Sequence, residues 1–251
     1  MTTSTLSWIK KAFRVLLAAA FWAAVWQMIA MLVDLPLLLP GPLDVLGTLG
    51  QLVREGPFWG LVGLTLGRIL LGFLAGACVG FLLAVGTCFV PLLDVIFSPA
   101  IRVLRAAPVT SFILLCMLWI RSGLVPAFIA SLMTIPIVWE NVTMGFRNTD
   151  PKLLEMGKVF RMGRGKRFFL IYLPSAMGYF RAALLTSMGM AFKSGVAAEV
   201  LCQPKLSVGT QLYYSKIYLE TEKLFAWTAV VVCLSVVMEN LLKYILRENK
   251  R

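Results

Sequence analysis

Histidine does not occur in this sequence, and its absence removes the commonest general base and the commonest metal ligand together. Charge is also scarce: 14% of the residues are charged, against roughly 25% in an average soluble domain. The five cysteines (Cys78, Cys88, Cys116, Cys202 and Cys233) form no Cys-x-x-Cys pair, and four of them sit inside apolar runs. Neither a disulfide framework nor a metal site is indicated. Paired carboxylates at close spacing are missing, which leaves little from which to build a membrane-embedded enzyme. A phosphate-cradling loop of the Gly-x-x-x-x-Gly-Lys-Ser/Thr type is missing too, so the chain is expected to hydrolyse no ATP and to bind no cofactor of its own.

What the sequence has in abundance is apolar side chains, 59% of 251 residues. One soluble core of this size could not hide so many, whereas a bilayer is itself an apolar solvent. The formal net charge of +12 is then read as basic residues at cytoplasmic membrane ends rather than as a nucleic-acid surface. Membrane lipid is an expected partner, and nucleic acid is not.

Lys10, Lys11 and Arg14 precede an apolar stretch that superficially resembles a signal peptide. At about 20 residues the stretch can span, and no small-x-small cleavage site clearly follows, so it reads as a retained helix. The expected fold is an all-α polytopic membrane protein of about six transmembrane helices in a single transmembrane domain, 1–251. The expected spans are residues 13–33, 59–88, 107–120, 124–146, 173–201 and 224–246, with a cytoplasmic loop at 147–172. The third is short and is expected to begin within the preceding segment or to lie tilted. Gly60, Gly63, Gly67, Gly72, Gly76 and Gly80 give the second span small residues that let helices approach closely. With both termini inside, inner segments carry 16 Lys and Arg and outer loops 5, the asymmetry of an inner-membrane protein with cytoplasmic termini.

The informative stretch lies in the loop at 147–172. Asp150 suits an N-cap and Pro151 the first helical position, where its missing N–H is not needed. Leu153, Gly157 and Phe160 then share one face, with Leu154 beside them. The result is a short cytoplasmic helix with an apolar edge among basic residues (Lys158, Arg161, Arg164, Lys166 and Arg167). Such an edge needs a partner to cover it.

Glu155-Met-Gly157, followed after 13 residues by Ile171-Tyr-Leu173-Pro174, resembles the coupling loop of binding-protein-dependent ABC importer permeases. Met156 replaces the usual alanine, and Arg161 stands where that pattern has a glycine, with Gly163 two positions later. Leu39-Pro-Gly-Pro42, Arg68 and Gly72, Arg105-Ala-Ala-Pro108, Asn148-Thr-Asp-Pro-Lys152 and Ala197-Ala-Glu199-Val look like the taurine, aliphatic sulfonate and nitrate subgroup. The resemblance implies a permease subunit whose loop docks on a separate cytoplasmic ATP-binding subunit, which holds the ATP and Mg. It further implies a second, identical permease copy and an extracytoplasmic substrate-binding protein that selects the cargo. The coupling residues are then Leu153, Leu154, Glu155, Gly157, Phe160, Arg161, Gly163, Leu173 and Pro174.

Ionisable residues within spans are costly and point to function by default. Glu140, Lys193 and Glu199 are therefore candidates for the translocation path, the alternative being an internal Lys–Glu pair that only fixes packing. Arg68 and Arg181 read as snorkelling or interfacial side chains. Against an importer permease stand an ion-coupled secondary transporter, for which no convincing internal repeat is visible, and a docking scaffold without a pathway.

Overall fold

The computed structural model describes residues 2–247, with side chains placed at 13, 14 and 17–246. Lys250 and Arg251, counted above among the cytoplasmic charges, lie outside the described residues, as do the side chains of Lys10 and Lys11. The described residues form helices α1 (Thr2–Val33), α2 (Pro42–Arg54), α3 (Gly56–Phe89), α4 (Pro91–Ala106), α5 (Val109–Cys116) and α6 (Val125–Arg147). There follow α7 (Pro151–Val159), α8 (Arg164–Arg167), a π turn (Phe168–Tyr172), α9 (Leu173–Cys202), α10 (Val208–Ile217) and α11 (Thr221–Arg247). No strand occurs among them.

Four stretches are long and apolar enough to cross a membrane: Gly56–Phe89, Val125–Arg147, Arg164–Cys202 and Thr221–Leu246. The third expected span differs from its expectation. Its helix, α5, has only 8 residues, about 12 Å at 1.5 Å per residue, and lies at 104° to α4. Pro108 lacks an N–H and disfavours the helical conformation at Ala107, so the helix breaks there. Counted together, α4 and α5 make a fifth, broken span. The expected outer loop likewise contains a helix, α10.

Two compact units divide the chain. The first, Met1–Trp59 with Gln211–Val230, is held by aromatic stacking, Trp26 on Phe225 and Phe58 on Trp227, with ring centroids 5.6 and 5.4 Å apart. Thr48 Oγ1 donates to Glu222 over 3.1 Å, and Thr221 Oγ1 donates to the Leu37 carbonyl.

The second unit, Gly60–Thr210 with Val231–Arg251, is built on α3, α6 and α9. A Cβ added at Gly72, Gly76 or Gly80 would stand 2.0, 2.5 or 2.8 Å from the carbonyl oxygen of Ala127, Ser131 or Ile135. The four-residue spacing puts all three on one face of α3, where α6 lies backbone to backbone. Gly60, Gly63 and Gly67 face open space. Small residues also let α6 and α9 meet, and the two run antiparallel. Gly145 lies against Ala176 and Tyr179 at one end, while Ile129 and Met133 cluster with Ala198 and Cys202 at the other.

Candidate coupling site

Local sequence builds α7 as expected at its start. Asp150 accepts a hydrogen bond from the Lys152 N–H at 2.8 Å, and Pro151 occupies the first turn. Its end is less obvious. The Met162 N–H reaches the Gly157 carbonyl (3.0 Å) and the Arg161 N–H reaches that of Lys158 (2.9 Å), the paired bonds of a Schellman cap. That cap needs a left-handed residue, and Arg161 supplies it with φ of 47°. The position where the importer pattern carries glycine therefore keeps a glycine-like backbone, although the residue is arginine.

The faces of α7 differ from the expected grouping. Gly157 is buried and turned inward, where an added Cβ would come within 2.9 Å of Ile171 Cδ1. It is the close-packing point between α7 and the π turn rather than part of an exposed edge. The outward apolar edge consists of Leu153, Met156, Val159 and Phe160, the last two 79% and 70% exposed. Leu154 is half-buried, and Glu155 is exposed without a partner among the described residues. Arg161, Gly163 and Pro174 are exposed, while Leu173 is half-buried.

The π turn follows from Pro174. Proline cannot donate to the carbonyl four residues back and its ring crowds that carbonyl, so the preceding turn widens. Ser175 Oγ donates to the Ile171 carbonyl at 2.7 Å. Through this turn the helix continues unbroken in length from Arg164 to Cys202, 39 residues or about 58 Å. That is nearly twice the roughly 30 Å of a hydrocarbon core, so the loop's return strand is a rigid extension of a spanning helix. Phe89 meets Phe146, Phe168 and Tyr172 edge-on at 5.1–5.6 Å, tying the ends of α3 and α6 to the turn. Phe89, Phe168 and Tyr172 with Val85, Arg164 and Arg167 line a cleft of about 660 Å³.

Glu140, Lys193 and Glu199 are not brought together. Glu140 pairs with Arg105 near the loop end of α6. Glu199 lies at the opposite end of the antiparallel pair, roughly 30 Å away along α9. Lys193 is exposed, on a face of α9 shared with Thr186, Met190, Ala197 and Leu201.

Glu199 is fully buried, and its cation is Arg68 at 3.4 Å rather than Lys193. Its carboxylate accepts from Thr65 Oγ1 (2.9 Å) and the Gly209 N–H (3.1 Å). Arg68 does not snorkel. Its guanidinium donates to the Lys205 and Leu206 carbonyls at 3.0 and 3.1 Å, holding a turn in which Gln203 and Leu206 both take positive φ. Thr65 Oγ1 in turn accepts from the Val208 N–H at 3.0 Å. The sequence offered one signal for this network: Thr65 and Arg68, three residues apart, place two polar groups on one face of an otherwise apolar helix.

Comparison with known proteins agrees with this architecture. Over 213 residues the chain is 27% identical to an aliphatic sulfonates transport permease of Bacillus subtilis, covering 84% of this chain and 77% of that one. It is 26% identical over 156 residues to a bicarbonate transport system permease of Synechocystis, covering 62% and 55% of the two chains. A nitrate import permease of Synechococcus elongatus is 24% identical over 191 residues, with 71% and 67% covered. The fold matches the crystal structure of an amino acid ABC transporter with histidines, with TM-score 0.61, 19% identity, and 76% and 91% of the chains covered. Residues 62–251 match the family of binding-protein-dependent transport system inner membrane components. The chain belongs to that family and is a permease subunit of an ABC importer.

Proposed function

We propose that α7 is the contact through which a separate cytoplasmic ATPase drives this permease, the ATP and Mg being held by that subunit. The observation that supports this reading is the exposed apolar edge of Met156, Val159 and Phe160. A capped helix presents it beside Lys158 and Arg161, and a 39-residue helix carries the same loop into the membrane. Large apolar side chains left open on a polar loop mark an interaction surface. The basic rim would pair with acidic groups of the partner.

The exposed α9 face bearing Lys193 would line the pathway against a second, identical copy, while Glu199 holds structure. The termini would lie on the cytoplasmic side, and an external binding protein would deliver cargo. The named relatives carry sulfonates, bicarbonate and nitrate, all small oxyanions, and a pathway lysine suits that charge.

Co-purification with the cognate ATPase tests the docking surface. Wild type should retain the ATPase, and Phe160→Asp should lose it without loss of folded permease. Retention by Phe160→Asp equal to wild type would overturn the assignment. Gly157→Trp is unsuited to this purpose, because Gly157 packs against Ile171 within the chain. Lys193→Met should assemble normally yet slow uptake of an oxyanion cargo by about tenfold or more.

A further inference from the structure

Between α4 and the loop end of α6 lies a cleft of about 290 Å³ that neither docking nor the α9 face uses. Three arginines line it, Arg102, Arg105 and Arg147, against two carboxylates, Asp94 and Glu140, so its lining carries one net positive charge. Arg105 is taken by Glu140. Arg147 hydrogen-bonds the Cys88 sulfur and stands 3.9 Å from Asp94, beyond hydrogen-bond reach, which leaves most of its five N–H donors uncommitted; Asp94 already accepts from Ser98 Oγ. Arg102 has no ion pair or hydrogen bond among the described residues.

The second observation is a hydroxyl. Thr143 lines the same cleft, is 5% exposed, and its Oγ1 has no hydrogen-bond partner. Thr134 on α6 and Ser187 and Ser194 on α9 bond back to a carbonyl of the preceding turn, those of Ala130, Ala183 and Met190. Thr143 does not, and a buried hydroxyl without a partner is costly. The Trp139 indole beside it already donates to Thr87 Oγ1, at 2.9 Å. A free guanidinium, a second one held by a thiol and a distant carboxylate, and an idle hydroxyl therefore converge on one space. Their shared complement is an acceptor-only group of negative charge with several oxygens.

We propose that this cleft binds a small oxyanion group, a sulfate, sulfonate or phosphate, through Arg102, Arg147 and the Thr143 hydroxyl. The occupant bridges α4 to the end of α6, three residues before the Asp150 cap of α7. The group is either a free anion or the phosphate of a lipid headgroup, and both present the same oxygens to the arginines.

The test uses full-length permease, purified and delipidated in detergent, titrated calorimetrically with sulfate and with phosphate against chloride at matched ionic strength. A parallel arm counts anionic phospholipid retained in native mass spectrometry. Saturable anion binding that Arg102→Gln weakens by about tenfold, and that Thr143→Val weakens while Thr143→Ser preserves, supports a free-anion site. Retained phospholipid that falls in Arg102→Gln and Thr143→Val, without response to free anion, supports a headgroup site. Wild type that takes up neither, or variants that bind as wild type does, overturns the proposal. Arg102 is exposed, so its variant reads out binding even where Thr143→Val fails to fold.

Discussion

At the Glu199 end of the α6–α9 pair, the carboxylate oxygens, the Thr65, Ser207 and Thr210 hydroxyls and both amino groups of Arg68 all have partners. At the other end, Val159 and Phe160 at the end of α7 stand in the open and the Thr143 hydroxyl is idle. A closed network of this kind holds one geometry, because any change leaves a buried group unsatisfied. An open one has capacity left for something outside the chain. The contrast separates residues that hold one another in place from residues free to meet a partner.

Removing Glu199 should break that contrast most severely. Glu199→Ala leaves Arg68 without its counter-charge and the Gly209 N–H without its acceptor, a loss on the order of 3 kcal/mol for a broken buried pair. Thermal unfolding in detergent should show a large drop in midpoint, and an unchanged midpoint would mean the network is not structural. Gly72→Ala comes next, because its Cβ would meet the Ala127 carbonyl and force α3 from α6 at a cost of about 1–3 kcal/mol. Gly63→Ala, in open space, is its control and should be neutral or slightly stabilising.

Val159→Asp sharpens the comparison from the open side. Its stability should match wild type, while ATPase retention falls by about tenfold, since a charge is placed on the docking edge. Smallest is Arg161→Gly, which relieves a left-handed non-glycine residue and should raise stability by about 1 kcal/mol without affecting docking. A drop in midpoint there would mean that the arginine side chain contributes more than its backbone costs.

Some of this was legible along the chain because it depends on near neighbours. Asp150-Pro151 announces the start of α7, and Pro174 the irregular turn before α9. The apolar edge was read on the right helix but with Gly157 and Leu154 in place of Met156 and Val159: Gly157 shares a helical face with Leu153 and Phe160 in projection, yet it points at Ile171. The cap at Arg161 was hidden because arginine carries no signature of positive φ. Arg68 read as a snorkelling or interfacial side chain because its partners lie 131 to 138 residues away.

The sequence by itself determined the solvent, the helical class, the family and the position of the loop proposed to meet the ATPase. These follow from composition, from the lengths of apolar runs and from residues spaced within one or two helical turns. Only the tertiary structure decided that Glu199 belongs to Arg68 rather than Lys193, and that α4 and α5 form a broken pair. It also decided that three of the six glycines from Gly60 to Gly80 lie against α6, and that Thr143 faces a cationic cleft. Those outcomes depend on which helices lie side by side, and the bilayer's apolar demand is met equally well by many such arrangements.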